Sequence, residues 1–90
     1  MGEKVALITG ASRGIGKACA IALAEEGYKV AVHYNSGKEA ATELCEKIGN
    51  ALPIQANLAS EDDCKQLIKN VKQEFGRLDV LVNNAGINID

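Results

Sequence analysis

Aromatic side chains are nearly missing from this sequence: among 90 residues there is no tryptophan, one phenylalanine and two tyrosines. A core must therefore come from Val, Ile, Leu and Ala, the composition of a parallel sheet buried on both faces. An excess of one charge is missing too. Ten Lys and Arg are interspersed with 12 Asp and Glu, for a net charge of −2. That balance offers no basic footprint for nucleic acid and no polybasic stretch for a membrane surface. No apolar run approaches the length a bilayer-spanning helix needs. Met1-Gly2-Glu3-Lys4 leads directly into an apolar segment, without a signal-peptide pattern. Ala6 stands where an N-myristoylation motif requires Ser or Thr. The three cysteines, Cys19, Cys45 and Cys64, are odd in number, widely spaced and without a Cys-x-x-Cys pair. They argue against a disulfide framework and against a zinc site, so no metal ligand is assigned. They read as reduced thiols on helices of an intracellular protein. The expected location is the cytoplasm, or an organelle matrix after loss of a targeting segment.

What is present is a rhythm of strand and helix. Val5-Ala6-Leu7-Ile8 is a short apolar run, read as a strand buried on both faces. From Gly14 to Glu26 the pattern is helical, with Ile15, Ala18, Cys19, Ala22 and Leu23 on one face and Gly27 as the terminating glycine. Lys29 to Tyr34 is a second strand. Ser36 is the expected N-cap of a second helix, whose stripe of Ala40, Ala41, Leu44, Cys45 and Ile48 ends at Gly49. Ala51 to Gln55 is a third strand. It carries the single proline, Pro53, which cannot donate to a sheet ladder and so predicts an edge position. Ser60-Glu61-Asp62-Asp63 resembles a capping box with Asp in place of Glu. Leu67, Ile68, Val71 and Phe75 follow at helical spacing up to Gly76, and Leu78 to Val82 is a fourth strand. Strands joined through helices must run parallel. The expected fold is α/β: an open, doubly wound parallel sheet of Rossmann type, in the order 3-2-1-4, ending after its fourth strand.

Between the first strand and first helix lies Thr9-Gly10-Ala11-Ser12-Arg13-Gly14-Ile15-Gly16. A diphosphate needs unshielded backbone N–H groups and the positive end of a helix. Gly10 lets the chain turn out of the strand, Gly14 lets a ligand approach the backbone, and Gly16 lets the helix pack closely. A glycine triplet alone could be a bare β–α turn. This one follows a strand, opens a helix and heads a βαβ unit, which is the context of a dinucleotide site.

The spacing Thr-Gly-x-x-x-Gly-x-Gly is similar to the signature of the short-chain dehydrogenase/reductase family. Asn83-Asn84-Ala85-Gly86, directly after the fourth strand, resembles that family's second signature. The resemblance covers essentially all 90 residues. The segment from Lys4 to Gly16 looks most like the 3-oxoacyl-acyl-carrier-protein reductase branch. The resemblance implies that residues 1–90 are the dinucleotide-binding N-terminal half of one Rossmann-type domain. The parent it implies is a reductase moving hydride from NADPH to a ketone or 3-oxoacyl thioester. It further implies a homo-oligomeric parent, with neither nucleic acid nor membrane as partner.

The cofactor expectation is NADP(H). An NAD site places an acid after the second strand, but His33-Tyr34-Asn35-Ser36-Gly37-Lys38 holds no carboxylate. Asn35 and Ser36 can donate to phosphate oxygens, or can serve as turn and cap residues. Arg13 suits a 2′-phosphate, as in similar family members, or is a solvated loop cation. Lys38 reads as a solvated helix residue, and His33 as strand-end packing. After the third strand the family usually has an aspartate accepting from the adenine amino group. Here that place holds Asn57, followed by Leu58; the Asn57 side-chain amide can accept without the charge, or Asn57 can be a plain turn residue. The resemblance gives Asn83 the task of tying strand 4 to its neighbours, with Ala85 and Gly86 leaving room at the adenosine ribose; two asparagines and a glycine can also be only a turn. The full set of expected cofactor contacts is Gly10, Ser12, Arg13, Gly14, Ile15, Gly16, Asn35, Ser36, Asn57, Leu58, Asn83, Ala85 and Gly86.

The family's catalytic Tyr-x-x-x-Lys pair is not found at a suitable place. Tyr28 has Val32 four positions on. Tyr34 has Lys38, but at a strand exit near the adenosine end. No catalytic residue is assigned within 1–90. The alternative readings are a non-catalytic NADP(H)-binding module, or an inactive truncated fragment. A sheet ending at Val80-Leu81-Val82 with an open apolar edge is expected to be unstable alone, or to associate.

Overall fold

A computed structural model describes residues 3–11 and 14–84. Its elements alternate: β1 (Val5–Ile8), α1 (Gly14–Glu25), β2 (Lys29–Tyr34), α2 (Lys38–Ile48), β3 (Ala51–Gln55), α3 (Glu61–Phe75) and β4 (Val80–Val82). The strands form one parallel sheet in the order β3-β2-β1-β4. This is the expected doubly wound topology, and a solitary proline foreshadowed its edge. Pro53 sits in β3 opposite Val32 of β2, with no strand on its other side among the described residues.

Alternation along the strands sorts the core into two layers. Ile8, Val30 and Val32 face one way, against Ala20 of α1 and Ala41, Leu44 and Cys45 of α2. Val5, Leu7 and Ala31 face the other way, against Leu67 and Val71 of α3. All four residues of β1 are buried, as a strand sandwiched between helical layers requires. The cysteines lie one per helix and are free thiols. Burial pushes the Cys45 thiol up to about 11, so it stays protonated and packs as a small apolar group.

Three expectations need correction. The buried face of α1 is not Ile15, Ala18 and Ala22, all of which are exposed. It runs through Gly16, Cys19, Ala20 and Leu23, one residue round the helix. Ser36 is not the N-cap of α2. Gly37, at φ 88°, takes that place, and its carbonyl accepts from the Ala41 N–H. The ladder of β4 starts at Val80, later than Leu78. Asp79 ends the approach to it: its N–H donates to the Val5 carbonyl, and its carboxylate accepts from the Val5 N–H, both at 2.8 Å. Arg77 grips the same carboxylate with two hydrogen bonds, at 2.8 and 2.7 Å.

The cap of α3 follows the sequence. Ser60 Oγ accepts from the Asp63 N–H at 3.2 Å. The Asp63 carboxylate reaches back to the Ala59 N–H at 3.0 Å, one residue beyond the usual capping-box partner. No helix among the described residues is long and apolar enough to cross a membrane.

Candidate functional site

Parallel pairing puts the exits of all four strands on one edge of the sheet. Gly10, Asn35, Asn57 and Asn83 therefore line that edge, each one or two residues beyond its strand. In open α/β sheets this is the edge where ligands bind.

The glycine turn leaves β1 through Gly10, at φ 62°, and enters α1 through Gly14, at φ 65°, both in the left-handed region. Ser12 and Arg13 lie outside the described residues. Gly14 and Gly16 face different surroundings. Among the described residues, a Cβ on Gly14 would meet nothing within 4 Å, so the turn is open there. A Cβ on Gly16 would come within 2.5 Å of Asn84 Nδ2 and 2.8 Å of the Gly10 carbonyl oxygen. The first glycine leaves space on the outside of the turn, and the second closes the inside. Ile15 between them is 74% exposed, an apolar side chain standing at the open side.

The start of the turn is held from the β4 side by hydrogen bonds that also close the sheet. Thr9 N–H donates to the Val82 carbonyl at 3.0 Å. The Thr9 hydroxyl accepts from the Asn84 N–H at 2.8 Å and donates to Asn83 Oδ1 at 3.0 Å. Asn84 Nδ2 reaches the Gly10 carbonyl at 3.4 Å. Asn83 and Asn84 thus join the glycine turn through its first two residues. Ala85 and Gly86 lie outside the described residues.

From the β2 side the turn is held by His33, which the sequence reading treated as strand-end packing. The ring is 2% exposed. Its Nδ1 accepts from the Gly10 N–H at 3.0 Å, and its Nε2 lies 2.8 Å from the Ala56 carbonyl. A carbonyl only accepts and an amide only donates, so these partners require the neutral ring with its proton on Nε2. Burial lowers the His33 pKa from 6.5, against the Ala56 carbonyl, which favours the cation. The contact follows from the strand register. A parallel register pairing Val5 with Lys29 and Ile8 with Val32 carries His33 to the level of the turn.

The other expected residues lie along the same edge. Asn35 and Ser36 are exposed at the exit of β2, where the Asn35 carbonyl accepts from Gln55 Nε2 at 3.1 Å. Asn57 is exposed beyond β3. Leu58 turns inward and packs with Leu67 and Val71 under the sheet. No carboxylate occurs from His33 to Lys38, and the positive end of the α1 dipole opens onto the turn. The edge is therefore suited to an anion. Tyr34, partly buried against the α1–α2 layer, belongs to the packing of β2.

Comparison with known proteins agrees with this geometry. A family model described as short chain dehydrogenase matches residues 4–90. The chain is 55% identical, over 97% of its length, to the 3-oxoacyl-[acyl-carrier-protein] reductase FabG of Staphylococcus aureus, covering 37% of that protein. It is 53% identical to the 3-oxoacyl-[acyl-carrier-protein] reductase of a Synechocystis species, with the same coverage of each chain. Among solved structures, the acetoin dehydrogenase of Enterobacter cloacae superposes with a TM-score of 0.86 and 38% identity, over 96% of this chain and 36% of the other. The chain spans little more than a third of the length of these relatives.

Proposed function

The chain belongs to the short chain dehydrogenase family, and we propose from that premise that residues 1–90 are the NADP(H)-binding N-terminal half of a single-domain reductase. The observation that carries the proposal is the two-sided glycine turn: open at Gly14, closed at Gly16, with the first turn of α1 behind it. In this reading, amides after Ala11 and the α1 N-terminus hold the diphosphate, and Ile15 packs beside it. Arg13, Asn35 and Ser36 hold the 2′-phosphate, Asn57 and the Leu58 backbone border the adenine, and Asn83, Ala85 and Gly86 border the ribose. Such a cofactor supplies hydride to a carbonyl carbon. The residues of this chain bind and orient it, and proton donation belongs to residues outside 1–90. The 3-oxoacyl thioester substrate rests on the relatives named as 3-oxoacyl-[acyl-carrier-protein] reductases; the cytoplasmic location and the homo-oligomeric parent rest on the sequence reading alone.

The preference for a 2′-phosphate is the part that binding tests directly. A guanidinium–phosphate hydrogen bond is worth about 1.5–3 kcal/mol, or roughly 10- to 150-fold in affinity. The natural polypeptide carrying these residues is expected to bind NADPH at least about tenfold more tightly than NADH. Arg13→Ala should remove most of that ratio while leaving NADH affinity in place. Equal affinities in the wild type, by fluorescence titration, would overturn the assignment of NADP(H).

A further inference from the structure

We propose that His33 is a positioning residue for cofactor binding, because its ring fixes the Gly10 amide and so sets which backbone groups of the glycine turn remain to meet an anion. The inference rests on the dinucleotide reading of that turn and goes beyond it, to a side chain that never touches the ligand.

Two consecutive amides of the turn point inward, to the same residue. Gly10 N–H donates to the His33 ring at 3.0 Å, and Ala11 N–H donates to the His33 carbonyl at 3.2 Å. Neither is then available to a diphosphate, which in the dinucleotide reading is left to the rest of the turn and the N-terminus of α1. The ring is in turn fixed by Ala56, whose own N–H donates to the Tyr34 carbonyl at 3.1 Å. One buried imidazole thus couples the exits of β1, β2 and β3. From β4, Asn83 and Asn84 hold Thr9 and, again, Gly10. With Gly10 held from both sides, through its N–H by His33 and through its carbonyl by Asn84, its left-handed step has one direction in which to leave the sheet.

The clamp works only while Nδ1 carries no proton. Protonation turns the acceptor into a donor facing the Gly10 donor, and the bond is lost. The exits of β1 at Gly10–Ala11 and of β3 at Ala56 present backbone groups to the ring. Among the described residues, no charged side chain contributes to its pKa shift. The folded pKa lies below the ordinary 6.5, so the neutral ring's contribution is complete above that value. It is lost as pH falls from there toward the lowered folded value. Cofactor affinity should follow the same sign, weakening as the cofactor-free ring takes up its proton.

The test is NADPH binding to the natural polypeptide between about pH 5 and 8, the range an imidazole spans, for wild type, His33→Asn and His33→Leu. An asparagine amide oxygen can still accept from the Gly10 N–H, and it does not titrate. His33→Asn is therefore expected within about threefold of wild type at neutral pH, and His33→Leu about tenfold weaker, the value of one buried hydrogen bond. The NADPH 2′-phosphate also protonates near pH 6, but equally in every variant. The ratio of wild-type to His33→Asn dissociation constants should rise in acid by up to about tenfold per pH unit, the slope of one proton. In the cofactor-free protein, the Gly10 amide resonance should titrate together with the His33 ring. A pH-independent ratio, or a Gly10 resonance indifferent to the ring, overturns the positioning role while NADPH binding stands. Absence of NADPH binding by the wild type at any pH overturns the dinucleotide reading, and the positioning role with it.

Discussion

Gly14 and Gly16 are separated by one residue, yet they exclude larger side chains for different reasons. At Gly14 the obstacle is the backbone alone: an L-residue at φ 65° costs about 1–2 kcal/mol, with open space around the new methyl. At Gly16 the obstacle is a collision with the Gly10 carbonyl and Asn84, which forces α1 away from the turn. Overpacking of this kind costs about 1–3 kcal/mol and displaces what surrounds it. Gly14→Ala is therefore expected to lower stability modestly, and Gly16→Ala to lower it further and to abolish dinucleotide binding. Denaturant unfolding and ligand titration of both variants check this; tight binding by Gly16→Ala would refute it. Both glycines were legible from spacing and context. His33 was not read as part of the site, since 23 residues separate it from Gly10. Its partner becomes visible only once the strands are laid in register.

The rotation of α1 shows what periodicity can and cannot decide at the scale of an element. From Gly14 to Glu25 the helix carries only Lys17 and Glu25 as charged residues, so its pattern barely distinguishes one face from another. Tight packing at Gly16 chooses the face: Ala20 and Leu23 follow at spacings of four and seven, with Cys19 beside them. In α3, where polar residues alternate clearly with Leu67, Ile68 and Val71, the buried face was legible. The start of β4 depended on a side chain standing in for a backbone acceptor. The Asp79 carboxylate takes the Val5 N–H, held ionised by Arg77 and, to a lesser extent, by that N–H itself. Its pKa is thereby lowered from 3.8. The stabilisation is complete above that value and disappears as pH falls through the lowered folded pKa. Asp79→Asn should be less stable than wild type near neutrality, with the difference closing in strong acid. Urea midpoints at both pH values measure it, and a gap that persists in acid would count against the ion pair as its source.

For the molecule as a whole, the two outer strands are unequal. β3 is protected by Pro53, which removes one donor from its ladder. β4 has no such device: Leu81 is 47% exposed, and a cavity of about 140 Å³ opens beside it between Leu58, Leu67 and Asn83. A polypeptide of residues 1–90 alone is therefore expected to associate or to melt at low temperature. Size-exclusion chromatography with thermal melting checks this, and a stable monomer would overturn it. Strand order was legible at this scale because helices between strands force parallel pairing, and one proline marked an edge. The outline of the site edge was legible for the same reason, since parallel strands collect their exits together. The bonds that lock the edge were not, because they join residues more than 70 positions apart.

That separation gives the structure a direction in time. His33 can close on Gly10 across 23 residues, whereas Asn83 and Asn84 must return across 74 and 75. Closing the longer loop costs about 1 kcal/mol more in chain entropy, and during synthesis it must wait until residue 84 has cleared the ribosome. The imidazole side of the clamp can therefore close, once Ala56 is in place, on a nascent chain that still lacks β4. The asparagine side can close only after that, and the cradle cannot be whole before it.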